Sequence, residues 1–252
     1  MQLTEKEKQA RTKLCLPLDE LNTLKEIQER VEELAPYVGL FKIGKETFTR
    51  FGPEAVKLVQ QYGANVFLDL KYHDIPNTVK GAASAATQLG VWMFNVHASG
   101  GIQMMKAAIE GARDASAKNN IPMPKIIAVT ILTSIDKQTM NNELRIEGEV
   151  DRQVLNLAKL AQNAGLDGIV CSAADLNSVR NKLPSNFMYI TPGIQGPNTP
   201  AGKDQKRVFT PYNAIKDGST ILVVGRAITA PKTSAERQKA AYEILQDMAK
   251  AL

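Results

Sequence analysis

Eight short apolar runs, each followed by a longer stretch, mostly of helical period, constrain this chain more than any other feature. The runs are Leu14–Leu18, Leu40–Ile43, Val66–Leu70, Met93–His97, Ile126–Thr130, Gly168–Cys171, Phe187–Ile190 and Ile221–Val224. Their shortness and near-continuous apolarity suit strands of a parallel sheet buried on both faces. Leu21–Leu34 places Leu21, Leu24, Ile27, Val31 and Leu34 on one helical face. Ala55–Tyr62, Val79–Leu89, Met104–Ala112, Val154–Ala164, Leu176–Leu183 and Ala240–Leu252 behave alike. Gly39, Gly63, Gly90, Gly165 and Gly218 fall near helix ends, where a left-handed residue often closes the helix. Eight such units in 252 residues predict an α/β fold, one (β/α)8 TIM barrel domain over 1–252. An open doubly wound sheet is the rival. It would usually carry a glycine-rich turn after the first strand, where this chain has Asp19-Glu20-Leu21.

Composition removes several function classes. Charged residues at 23% and hydrophobic residues at 44% are ordinary for a globular protein that can bury a sizeable core. No apolar run approaches a membrane span, and the charged N-terminus is the reverse of a signal core, so a cytoplasmic protein is expected. Net charge is +5, but the basic residues are dispersed and aromatics are only 6%, which argues against nucleic acid as partner. An anionic small substrate suits that charge equally well. Cys15 and Cys171 read as reduced core cysteines, and no Cys/His cluster has metal-ligand spacing.

Barrel enzymes carry their chemistry at the C-terminal ends of the strands. Those ends supply Asp19, Lys42, Asp69 with Lys71, His97, Thr133, Cys171-Ser172, Pro192-Gly193 and Gly225-Arg226. The densest group follows Val66-Phe67-Leu68. Alternation along a strand puts Asp69 and Lys71 on one side, with Asp74 in the turn beyond and Pro76 opening a helix. An ammonium between two carboxylates stays protonated and can act as an acid. By spacing alone, the group could equally be a surface ion-pair cluster. Gly225-Arg226 reads as a phosphate site, since glycine admits the phosphate and arginine matches its oxygens. The alternative is an arginine capping a helix or pairing on the surface. The polar segments Ile135–Val150 and Gln195–Arg207 read as loops, and Gly/Pro-rich 195–205 as a lid.

The run Leu68-Asp69-Leu70-Lys71-Tyr72-His73-Asp74-Ile75-Pro76-Asn77-Thr78 resembles the signature of the orotidine 5′-phosphate decarboxylases. Matching parts extend in order from Asp19 to Arg226. The resemblance implies cofactor-free and metal-free decarboxylation of orotidine 5′-monophosphate to UMP, the last step of de novo pyrimidine synthesis. It implies Lys71, Asp69, Asp74 and Lys42 as the catalytic set. Asp19 and Lys42 would hold the ribose, and Thr133 the pyrimidine edge, with Ser134 a substitute. Pro192, Gly225, Arg226 and Gln205 would hold the phosphate side, Gln205 also reaching the base. Asp74 and Thr78 would reach the neighbouring subunit's site, giving a homodimer with shared active sites. His73 and His97 have no catalytic role in this resemblance. Many relatives read Pro-Gly-Ile-Arg where this chain has Pro192-Gly193-Ile194-Gln195; Lys203 or Arg207 could supply the missing charge.

Overall fold

The computed structural model describes residues 2–197 and 209–252. Its strands are β1 (Leu14–Pro17), β2 (Leu40–Gly44), β3 (Asn65–Tyr72), β4 (Met93–His97), β5 (Lys125–Val129), β6 (Gly168–Val170), β7 (Met188–Pro192) and β8 (Ile221–Val223). They close into a parallel barrel in sequence order, as expected. The helices before β4 are α1 (Glu5–Arg11), α2 (Leu24–Leu34), α3 (Lys45–Phe51), α4 (Pro53–Gln61) and α5 (Pro76–Gln88). After it come α6 (Gly101–Asn119), α7 (Val150–Ala164), α8 (Leu176–Val179), α9 (Pro211–Lys216), α10 (Arg226–Thr229) and α11 (Ser234–Ala249).

Residue contacts cluster into two compact units, Met1–Phe67 with Thr191–Leu252, and Leu68–Ile190. In the first, β1 pairs β2 with Cys15 opposite Leu40 and Pro17 opposite Lys42, and pairs β8 with Cys15 opposite Val223. Leu14, Leu16, Phe41, Ile43 and Leu222 are fully buried there, with Ile27, Val31 and Leu34 of α2 turned inward. In the second, β4, β5 and β6 run in continuous register, and α5 packs closely on α6. A Cβ on Gly111 of α6 would lie 2.1 Å from the Lys80 carbonyl oxygen of α5. Only glycine permits that approach.

The boundaries moved where polarity and backbone pairing disagree. β3 runs on through Asp69 and Lys71 to Tyr72, beyond the apolar run, because ladder hydrogen bonds need no apolar side chain. α2 begins at Leu24, not Leu21. Thr23 caps it, its hydroxyl accepting from Glu26 N while Glu26 accepts from Thr23 N. Four helices lacked a legible period: polar α1, and the short α3, α9 and α10. The expected loop 135–150 contains a π-helical turn, Thr139–Glu143. Gly63, Gly90, Gly165 and Gly218 do adopt positive φ; Gly39 does not. A Cβ at Gly39 would stand 2.4 Å from the Arg11 carbonyl oxygen, so close approach explains that glycine.

Candidate active site

β3 turns at its end. Lys71 has φ +53°, the left-handed region that a lysine rarely enters. Strict alternation therefore fails at Lys71, yet its Nζ still meets Asp69 Oδ1 at 2.7 Å. Asn95 of β4, fully buried, holds this conformation. Its Oδ1 accepts from the Lys71 backbone N–H at 2.8 Å, and its Nδ2 donates to Asp69 Oδ1 at 2.7 Å. One side chain thus fixes both the lysine's backbone and the carboxylate facing its ammonium. Asp69 is itself only 7% exposed, and burial of a carboxylate is tolerable because it is charge-paired and hydrogen-bonded. Asn95 is not among the residues expected from the sequence, where an amide inside apolar Met93-Phe94-Asn95-Val96 is its signal.

The expected sandwich of Lys71 between two carboxylates is only half present within the chain. Asp74 is exposed, and its Oδ1 accepts from the Ile75 N–H at 2.6 Å. Lys71, Asp74 and Thr78 nevertheless line one hollow of about 280 Å³, with Thr78 exposed in the first turn of α5. His73 and His97 lie beside each other, ring centroids 5.4 Å apart. Tyr72 packs edge-on to Phe94, and burial pushes its phenol up to about 12. Thr133 and Ser134 are exposed in the turn after β5. Cys171 is buried, which pushes its thiol well above the ordinary range, with Asp175 adding to the shift.

The first unit carries the other residues. Lys42 Nζ pairs with Asp19 Oδ1 at 3.1 Å. Gly44 makes room for this pair, since a Cβ there would fall 2.9 Å from Lys42 Nζ and 3.0 Å from Asp19 Oδ1. The buried Thr47 hydroxyl donates to the Leu18 carbonyl at 2.6 Å, tying α3 to the end of β1 beside Asp19. Asp19, Gly193, Gln195, Gly225 and Arg226 line one cavity of about 880 Å³. Arg226 is exposed at the start of α10, and Pro192 ends β7. Gln205, Lys203 and Arg207, with most of the expected lid, lie outside the described residues.

A closed (β/α)8 barrel with ionisable side chains gathered at its strand ends is an enzyme architecture. A model of the "Orotidine 5'-phosphate decarboxylase / HUMPS family" matches residues 12–242. The orotidine 5′-phosphate decarboxylase of Syntrophus aciditrophicus is 43% identical over 252 residues, covering 100% of this chain and 99% of that one. That of Moorella thermoacetica is 46% identical over 236 residues, 93% of each chain. The crystal structure of orotidine 5′-phosphate decarboxylase from Lactobacillus acidophilus superposes with a TM-score of 0.80 at 35% identity, covering 93% of this chain and 98% of that one. This chain belongs to the orotidine 5′-phosphate decarboxylase / HUMPS family.

Proposed function

We propose that this protein decarboxylates orotidine 5′-monophosphate to UMP and CO2 without a cofactor, the final step of de novo pyrimidine synthesis. The observation that carries the reading is Lys71, held left-handed by Asn95 with its ammonium against Asp69. Breaking the C6–carboxylate bond releases CO2 and leaves the electron pair at C6, in an orbital the ring does not delocalise. A cation already positioned there stabilises the pair without reorganising. Lys71 then gives one of its N–H protons to C6, forming UMP, and regains a proton from solvent. Asp69 would stand beside the departing carboxylate. Preorganisation of Lys71 outranks repulsion as the main effect, because its orientation is fixed before charge develops.

The remaining assignments follow the family resemblance. Lys42 and Asp19 hold the ribose hydroxyls, which fits their ion pair and the space Gly44 leaves around it. Thr133 takes the pyrimidine edge. Pro192, Gly225, Arg226 and Gln205 take the phosphate side, whose binding energy supports a chemical step elsewhere on the substrate. Asp74 and Thr78 complete the site of a second subunit in a cytoplasmic homodimer. Their exposure, next to an Ile75 that is 67% exposed, supports this. Among the described residues no helix is long and apolar enough to cross a membrane.

The test is the fall in absorbance of orotidine 5′-monophosphate with purified protein in EDTA. Turnover in EDTA is expected. Its absence, with activity on a sugar phosphate once Mg²⁺ is supplied, would overturn the reading in favour of a metal-dependent relative.

A further inference from the structure

The wall of the larger cavity holds a guanidinium that the assignments above do not use. Arg30 of α2 lines the same cavity as Gly193, Gln195, Gly225 and Arg226. Arg30 and Arg226 are the two cations among the described residues of that wall. The Arg30 side chain is 19% exposed. Its acidic neighbour, Glu33, is engaged elsewhere: Arg237 Nε and Nη2 donate to the two carboxylate oxygens at 2.9 and 3.0 Å. Arg30 Nε stands 3.9 Å from Glu33 Oε2, beyond hydrogen-bond distance. Two guanidinium groups therefore share one carboxylate, and the one facing the cavity has the poorer contact. Of the acidic groups on the wall, Asp19 is paired with Lys42 and Glu20 is exposed.

The Arg30 guanidinium is partly buried and, among the described residues, its acidic contact is the long one to a Glu33 already held by Arg237, so a bound anion would give it a better partner. Burial first, then the neighbouring Arg237, pull its pKa below the ordinary arginine value, while Glu33 opposes them. The charge of a bound anion would oppose both, as Glu33 does. The fork of N–H groups matches a phosphate through two parallel bonds, which a lysine cannot reproduce.

We propose that Arg30 is a second phosphate-binding cation of the nucleotide site, making a bidentate contact opposite Arg226 on a wall where residue 195 is the uncharged Gln195. This rests on the nucleotide reading above and adds to it a residue from α2. Arg30→Met should weaken UMP binding about tenfold to a hundredfold, the range expected for lost charge-assisted hydrogen bonds. Uridine, which lacks the phosphate, should bind as to the wild type. Arg30→Met combined with Gln195→Arg should recover much of the UMP affinity by returning a guanidinium to the wall. Unchanged UMP affinity in Arg30→Met, or equal losses for UMP and uridine, would overturn the assignment. If Arg30→Met lowers the unfolding midpoint, Arg30→Lys replaces it: UMP loss at constant uridine affinity supports the bidentate contact, and wild-type UMP affinity overturns it. A wild type that binds UMP and turns over substrate, with both variants unaffected, sinks the Arg30 assignment alone. A wild type that does neither removes the nucleotide reading with it.

Discussion

Lys71 pays for its position in backbone conformation. A non-glycine residue in the left-handed region costs about 1–2 kcal/mol, and here Asn95 offsets it by accepting the Lys71 N–H. Lys71→Ala should abolish turnover while UMP still binds, measured by steady-state kinetics and calorimetry. Retention of a normal kcat would remove the proton-donor role. Asn95→Ala leaves the Lys71 N–H and the Asp69 carboxylate each short of a partner. We expect a loss of about 1–3 kcal/mol in chemical unfolding and a fall of about 10²-fold in kcat. A kcat near wild type would mean that the Asn95 bridge is structural only. The charged residues of this site were legible because Asp69, Lys71 and Asp74 stand out after an apolar run. Asn95 was not, since its role arises from β4 lying where its amide reaches β3. That adjacency is 24 to 26 residues away in sequence.

At the scale of elements, three helices of the first unit begin with the same device. Thr4 with Glu7, Thr23 with Glu26 and Thr233 with Glu236 each form a reciprocal capping box. Backbone N–H donors, foremost Thr4 for Glu7, Asn22 for Glu26 and Thr233 for Glu236, hold all three carboxyls below their ordinary range. A carboxyl depressed in the folded state adds stability above its unfolded pKa, about 4.3, and loses it as pH falls through the folded value. Acid should therefore loosen α1, α2 and α11 below about pH 4. Hydrogen exchange across an acid titration should show the starts of these helices losing protection, and Glu7→Gln, Glu26→Gln and Glu236→Gln should each flatten the response of its own helix. Glu7 carries a further tie, accepting from the Tyr242 hydroxyl at 3.1 Å and so joining α1 to α11. The Thr-x-x-Glu pattern is readable in the sequence and marks the start of α1, whose polar residues carry no apolar period.

For the whole molecule, the proposed sharing of sites between two subunits predicts complementation between dead subunits. Mixed under conditions that exchange subunits, Lys71→Ala and Asp74→Ala proteins form heterodimers with one intact site each. Random exchange of equal amounts should recover about a quarter of wild-type activity. No recovery from subunits shown to exchange would mean that each site is complete within one chain. The alternation of eight apolar runs with amphipathic stretches determined a parallel α/β fold by itself, because burying both faces of a parallel sheet needs that periodicity, and the number of units with no glycine-rich turn after the first strand pointed to a closed barrel. The sequence alone also marked Asp69, Lys71, Asp74 and Arg226, because charge at a strand's end is conspicuous against apolar neighbours. Only the tertiary structure decided that Lys71 turns left-handed, that Asn95 supports it, that Gly44 clears space for the Lys42–Asp19 pair and that Arg30 faces the cavity of Arg226. The reason is physical: each depends on atoms brought within a few ångströms by the closing of strands and helices distant in the chain, and linear spacing carries no record of that distance.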